Sequence, residues 1–294
     1  MLQNFVLITK PGIIFGNLIA AAAGYFLAAQ GNIDWLTFFT MNLGVILIIA
    51  SGCVFNNYID RDIDKLMKRT CNRVLVQKLM PVNTALVYAT ILGTCGFITL
   101  AVFTNLTAFF FGVLGFCVYV GFYSLYFKRK SIYGTLVGSI SGACPPVIGY
   151  CAVTNQFDMG AAIMLVAFCL WQIPHSYAIA IYRFDDYKAA NIPVLPVTDG
   201  IKAARNHIIG YIVAFTLVAL MLSQQAYVGT VYAIAMGILG LYWLYIAVAD
   251  FNSLDNHQWA RRLFVFSIVT ITSFSLLISF DFTQTAEYIA LISN

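Results

Sequence analysis

Asn56, Asn57, Asp60 and Asp64 close an otherwise apolar stretch, and Arg61, Asp62, Lys65, Lys68, Arg69 and Arg73 crowd the same short segment, NNYIDRDIDKLMKRTCNR. A charged side chain at the bilayer centre costs about 2.5–3.5 kcal/mol on insertion scales, so carboxylates at the edge of a lipid-compatible helix call for a functional reason. At 100° per residue, Asn57, Asp60 and Asp64 fall within about 60° of one another and Asn56 stands beside them, while Asp62 points away. Such a stripe of carboxylate and amide oxygens suits Mg²⁺, which takes one or two carboxylates, keeps waters and completes its shell from substrate phosphates. Arg69 and Arg73, next along the chain, then suit a diphosphate, because the guanidinium fork matches phosphate oxygens. The plain alternative is a solvated helix end with surface ion pairs, and that reading fits Asp62, Lys65 and Lys68.

Two further clusters repeat this chemistry. Lys128, Arg129 and Lys130 follow the aromatic run Tyr123–Phe127, and Arg183, Asp185, Asp186 and Lys188 precede the stiff segment IPVLP. A cationic run after an apolar helix is also the ordinary mark of topology, so Lys128 and Arg129 read either as anchors or as phosphate contacts. His175 is the only histidine inside an expected span. It reads as a haem-iron ligand or as a buried imidazole bonded to a neighbouring helix.

The elements that position these groups follow from composition. With 61% hydrophobic and 10% charged residues and a mean hydropathy of +0.84, the chain suits hydrocarbon, where a span needs roughly 20 apolar residues. Charge-free stretches at 11–33, 35–59, 79–127, 131–157, 159–182, 206–249 and 263–280 supply the spans. The two longest each hold two, with breaks near 104–107 and 223–229. The expectation is an all-α polytopic membrane protein, one domain over residues 1–294, built as a bundle of nine transmembrane helices.

All sixteen Lys and Arg residues fall before the first span or in alternate loops, whereas the other side keeps only Asp34, Asp158, Asp281 and Glu287. The positive-inside rule therefore puts the amino terminus in the cytoplasm, the carboxyl terminus in the periplasm and the polar clusters on the cytoplasmic face. The net charge of +4 is a topology signal; no basic stripe interleaved with aromatics points to nucleic acid. No signal or transit segment is expected ahead of the first span, which favours a bacterial inner membrane. The seven cysteines lack CxxC spacing and read as small apolar fillers.

Four segments carry a resemblance: KPGIIFGN, NNYIDRDIDKLMKRTCNRVLV, YSLYFKRKSIYGTLVGSISGACPPVIGY and WQIPHSYAIAIYRFDDYKAANIPVLP. From residue 10 to about 200 the chain resembles the intramembrane aromatic prenyltransferase superfamily, and WQIPH and YKAANIPVLP within the last segment resemble its haem-farnesylating branch. The resemblance implies that Mg²⁺ helps ionise farnesyl diphosphate and that the farnesyl group joins a vinyl group of haem B with addition of water. It also implies haem-pathway or oxidase proteins as partners. By position, Asn57, Asp60 and Asp64 match the first metal and diphosphate motif, and Arg69, Arg73, Lys128 and Arg129 match its cationic partners. Asn57 departs from a more usual Asp. In the second motif His175 and Tyr182 stand where quinone-type members carry carboxylates, leaving Asp185 and Asp186 as metal candidates and Arg183 and Lys188 as diphosphate candidates.

Tyr123 and Tyr126 are candidate ring faces for an allylic cation. Gly138, Gly142 and the Pro145-Pro146 pair read as close helix packing and a kink. Two other readings compete: a prenyltransferase for a quinone or chlorophyll precursor, and a transporter or non-catalytic membrane subunit. A transporter places its ionisable groups near the bilayer midplane, whereas here they crowd one face.

Overall fold

The computed structural model describes residues 2–249 and 255–283; Glu287 and the end of the chain lie outside the described residues. Nine helices among these are long and apolar enough to cross a membrane, numbered here in chain order. They are α1 (Pro11–Ala29), α2 (Trp35–Ile59), α3 (Val82–Phe103), α4 (Leu106–Lys130), α5 (Gly134–Thr154), α6 (Met159–Tyr182), α7 (Ile201–Gln224), α8 (Thr230–Ala249) and α9 (Asn256–Phe280). The expected breaks inside 79–127 and 206–249 fall between α3 and α4 and between α7 and α8. The chain is thus an all-helical, multi-pass membrane protein.

Consecutive helices pack side by side, and α9 returns to pack on both α1 and α6, so the bundle closes on itself. Helices α1 and α5 approach most intimately. A Cβ on Gly149 would sit 1.9 Å from the Ala21 carbonyl oxygen, and one on Gly24 would sit 1.9 Å from that of Pro146. Without a hydrophobic drive between helices in lipid, such backbone contact is what holds a pair together. The Pro145-Pro146 pair, buried inside α5, therefore takes part in the seam with α1.

Polar caps fix four of the helix starts. Asp34, Asn105, Asp158 and Asp255 each accept a hydrogen bond from the first turn of the helix that follows, satisfying donors that would otherwise be orphaned.

Three segments depart from regular α-helix where the polar clusters lie. Helix α2 stops at Ile59, and a single turn, Arg61–Asp64, follows it. The middle of α4, Cys117–Phe127, is π-helical, a form that concentrates at functional sites. Ahead of α1 a short helix, Leu2–Ile8, ends at Lys10, whose φ of +56° is left-handed. Pro11 keeps its predecessor out of the right-handed helical region, so the chain must turn at Lys10. Ile8 and Phe5 pack with Val54, Val74 and Ala85, which ties this turn to the ends of α2 and α3.

Candidate active site

A cavity of about 960 Å³ opens among α1, α2, α4, α5, α6 and α9, near the top of the range for small-molecule sites of about 300–1,000 Å³. Its mouth is charged. Lys10, Asn56, Asp64, Arg69, Arg73 and Lys128 all line it. Below the mouth the wall is apolar along α2 from Cys53 to Val45 and across Phe111 and Phe116 of α4. From Asn56 to Val45 the helical rise is about 16 Å, so an extended hydrocarbon chain fits along this wall. The opposite wall carries Phe168, Trp171, Gln172 and His175 of α6 with Phe264 and Ile271 of α9.

The carboxylates are held by cations from distant elements. Asp60 is fully buried; Lys128 Nζ donates to its Oδ2. Arg73 Nη1 donates to Asp64 Oδ2 at 2.6 Å, and Asp64 is 2% exposed. Asn56 Nδ2 donates to Asp60 Oδ2 at 2.8 Å and to Ser124 Oγ at 3.0 Å, while its own Oδ1 accepts from Lys10 Nζ. Burial, then the Arg73 charge, lowers the Lys10 pKa to about 8, because a desolvated ammonium beside another cation is disfavoured. One oxygen, Asp60 Oδ1, is buried and makes no hydrogen bond; Arg129 Nη2 is 3.6 Å from it. The orphaned oxygen of Asp60, which is off the cavity wall, and the buried carboxylate of Asp64, which lines it, make a donor set of hard oxygens. It fits Mg²⁺ whose remaining ligands come from water and substrate phosphate.

The structure moves several expected residues. Asn57 is buried, but its amide donates to the Ile8 and Cys53 carbonyls and it does not line the cavity; Asn56 stands there in its place. The expected stripe assumed one unbroken helix, whereas α2 ends at Ile59 and Asp60 adopts φ −87°, ψ 1°. Arg129 also stays off the cavity wall, held by both carboxylate oxygens of Asp62 at 2.6 and 2.8 Å. These bonds lower the Asp62 pKa to about 2. Asp62 is thus the exposed half of a surface ion pair, as the plain reading has it.

The cluster after α6 divides in the same way. Arg183, Asp185 and Lys188 are exposed, and none lines the cavity; Arg183 lies over the Tyr182 ring at 4.7 Å. Asp186 is buried and accepts the backbone N–H of Lys68 at 2.7 Å. Tyr187, its neighbour, does line the cavity.

Residues missed by the sequence reading are Lys10 and Tyr119. Lys10 reads as a lone topology charge because nothing in the sequence shows that Leu2–Ile8 folds back onto α2 and α3. Tyr119 and Tyr123 stack, with centroids 6.1 Å apart, and Gly52 and Gly138 lie flat against their rings. Tyr126 instead faces out, 52% exposed, under Lys130. The wider π turn explains the exchange, since it rotates Tyr126 off the face that 3.6-residue spacing assigns to it. Gly138 and Gly142 line the cavity as well, so their small size makes room for rings and for Gln172 as well as for packing.

His175 is where the sequence reading puts a haem contact, on the cavity wall. Its Nδ1 lies 2.7 Å from the buried Ser267 hydroxyl, and its ring stacks on Trp171 with centroids 4.6 Å apart. With Nδ1 engaged, Nε2 is the nitrogen left for a ligand.

The pattern of the UbiA prenyltransferase family matches residues 17–269. The chain belongs to the UbiA prenyltransferase family. Among relatives, a protoheme IX farnesyltransferase of Chromohalobacter salexigens is 56% identical over 293 residues, covering 100% of this chain and 99% of that protein. One from Serratia proteamaculans is 57% identical with the same coverage. The UbiA fold is also seen in a solved digeranylgeranylglyceryl phosphate synthase, with a TM-score of 0.78 at 17% identity over 95% of this chain and 97% of that one. A UbiA homologue from Archaeoglobus fulgidus bound to GPP and Mg²⁺ has a TM-score of 0.70 at 15% identity over 94% and 99%.

Proposed function

We propose that this UbiA-family protein transfers the farnesyl group of farnesyl diphosphate to a vinyl group of haem B, giving haem O and diphosphate. The carrying observation is one continuous cavity with a cationic, carboxylate-bearing mouth, an apolar wall long enough for a prenyl chain, and His175 on the facing wall. Full-length relatives named protoheme IX farnesyltransferase at 56–57% identity support the same reaction. The one bundle forms one domain. Its cation-rich loops lie in the cytoplasm of a bacterial inner membrane, which puts the mouth of the site on that side and the carboxyl terminus in the periplasm.

In this reading Asp60 and Asp64 hold Mg²⁺ with the support of Asn56, and the bound ion supplies Lewis-acid neutralisation of the diphosphate. Lys10, Arg69, Arg73 and Lys128 take the phosphate oxygens. The carbon–oxygen bond at farnesyl C1 breaks, and the diphosphate leaves with the electron pair. Cations already fixed at the mouth stabilise the charge that builds there, at no reorganisation cost when the bond breaks.

The allylic cation is left among apolar groups and near the Tyr119 and Tyr123 rings, which delay its capture by water. The terminal vinyl carbon of haem B bonds to C1. The positive charge moves to the inner vinyl carbon, water adds there, and one proton is released. His175 Nε2, with the ring held by Ser267 and Trp171, contacts the iron of this substrate.

A competition assay separates this reading from quinone-type prenylation. The purified protein is given farnesyl diphosphate, Mg²⁺ and equal amounts of haem B and 4-hydroxybenzoate. Prenyl transfer to haem is expected; transfer to the benzoate alone overturns the assignment.

A further inference from the structure

Asp186 is 6% exposed, is absent from the cavity wall, and spends one oxygen on the Lys68 N–H at 2.7 Å, 118 residues away in sequence. That bond joins the two loops that roof the charged mouth. On one side of it, Met67 and Arg69 line the cavity; on the other, Tyr187, Ile192 and Val194 do. Ile63, Met67, Ala190 and Ile192 form a small buried cluster around the same junction. The loop bearing Arg69 has no long helix to hold it. Its local ties include Thr70 Oγ to the Asp64 carbonyl at 3.0 Å, the Arg73 bond to Asp64 and short-range backbone bonds such as Thr70 N–H to the Met67 carbonyl.

A carboxylate accepting a backbone N–H in a buried setting is a charge-assisted bond, roughly twice as strong as a neutral one. Lys68 directly precedes Arg69, so fixing its peptide fixes where the Arg69 stem begins. We propose that Asp186 is a positioning residue: it latches the 65–73 loop to the loop after α6 and so holds Arg69 at the mouth. The link to catalysis rests on the proposed reaction, whereas the latch itself does not.

The test uses Asp186→Asn and Asp186→Ala in the full chain. Limited trypsin digestion at Lys65, Lys68 and Arg69, followed by mass spectrometry, reads the latch without any activity. KM for farnesyl diphosphate, kcat and the Mg²⁺ concentration for half-maximal rate read its use. Asp186→Asn keeps an oxygen that accepts from the N–H; protection, KM and Mg²⁺ dependence within about threefold of wild type are expected. Asp186→Ala is expected to be cut at least tenfold faster in the 65–69 stretch, with KM raised about tenfold and kcat changed less.

A tenfold higher Mg²⁺ requirement in Asp186→Asn with protection intact makes Asp186 a metal ligand and overturns the proposal. Unchanged cleavage in folded Asp186→Ala also overturns it. If Asp186→Ala does not fold, the Asn variant decides alone: retention supports the latch, loss refutes it. Faster cleavage in a protein that never farnesylates haem keeps the latch and refutes the reaction.

Discussion

Arg73 Nη1 reaches back to Asp64 Oδ2 at 2.6 Å across nine residues, so the loop after α2 closes on its own carboxylate at the cavity mouth. Lys128 does the same for Asp60 from α4. Each carboxylate therefore sits beside a cation that can turn to a phosphate when substrate arrives, and the charges stay balanced before and after. Replacing Asp60 or Asp64 by Asn keeps the shape and removes the charge. Each variant is expected to lose about two to three orders of magnitude in turnover, the cost typical of deleting a preorganised electrostatic group. Liquid chromatography of the haem products checks it, with the helical circular dichroism unchanged.

Lys10 gives the site a pH dependence. Its pKa is lowered to about 8, by burial first and then by Arg73, so in the free protein it loses its charge as pH rises through 8. KM for farnesyl diphosphate is expected to climb between pH 7.5 and 9. The bound anion favours the charged form and moves the midpoint upward in the complex. Lys10→Arg, always charged, is expected to flatten the climb; a profile identical to wild type contradicts the role.

His175→Ala is expected to weaken haem B binding at least tenfold and to shift the Soret band, because the ring nitrogen opposite Ser267 is removed. Ser267→Ala leaves the imidazole present but unheld, and a smaller loss is expected. Absorbance titration in detergent reads both. An unchanged spectrum and affinity in His175→Ala excludes the ligand.

Gly149→Ala puts a methyl group where the Ala21 carbonyl oxygen already is, 1.9 Å from the new carbon. The α1–α5 pair must separate. A loss of at least about 1–3 kcal/mol is expected, in line with overpacked interiors, and a thermal melt in detergent measures it. Gly12→Ala, with nothing within 4 Å, is the matched control.

Asp185→Ala and Lys188→Ala are expected to stay within about twofold of wild-type activity, since both side chains are exposed and off the cavity wall. A hundredfold loss in either restores the second motif as a direct metal or diphosphate site.

Much of this was legible in the sequence because lipid imposes so few solutions. Uninterrupted apolar stretches, with two breaks, mark all nine spans, and Asp60, Asp64, Arg69, Arg73, Lys128 and His175 carry the chemistry that the cavity wall displays or adjoins. What was not legible depends on local backbone and long-range contact. The stop at Ile59 exchanges Asn57 for Asn56, the π turn exchanges Tyr126 for Tyr119, and the Leu2–Ile8 helix delivers Lys10. Asp186 looks like Asp60 by residue type; only its partner, a backbone N–H, sets it apart.

The most direct measurement is a single incubation of the purified protein with haem B, farnesyl diphosphate and Mg²⁺, followed by mass spectrometry of the extracted haem. The expected product is haem B plus one farnesyl group and one hydroxyl, formed by wild type and absent with Asp60→Asn. Folded wild-type protein that leaves haem B unmodified, or Asp60→Asn that converts it at the wild-type rate, contradicts the account.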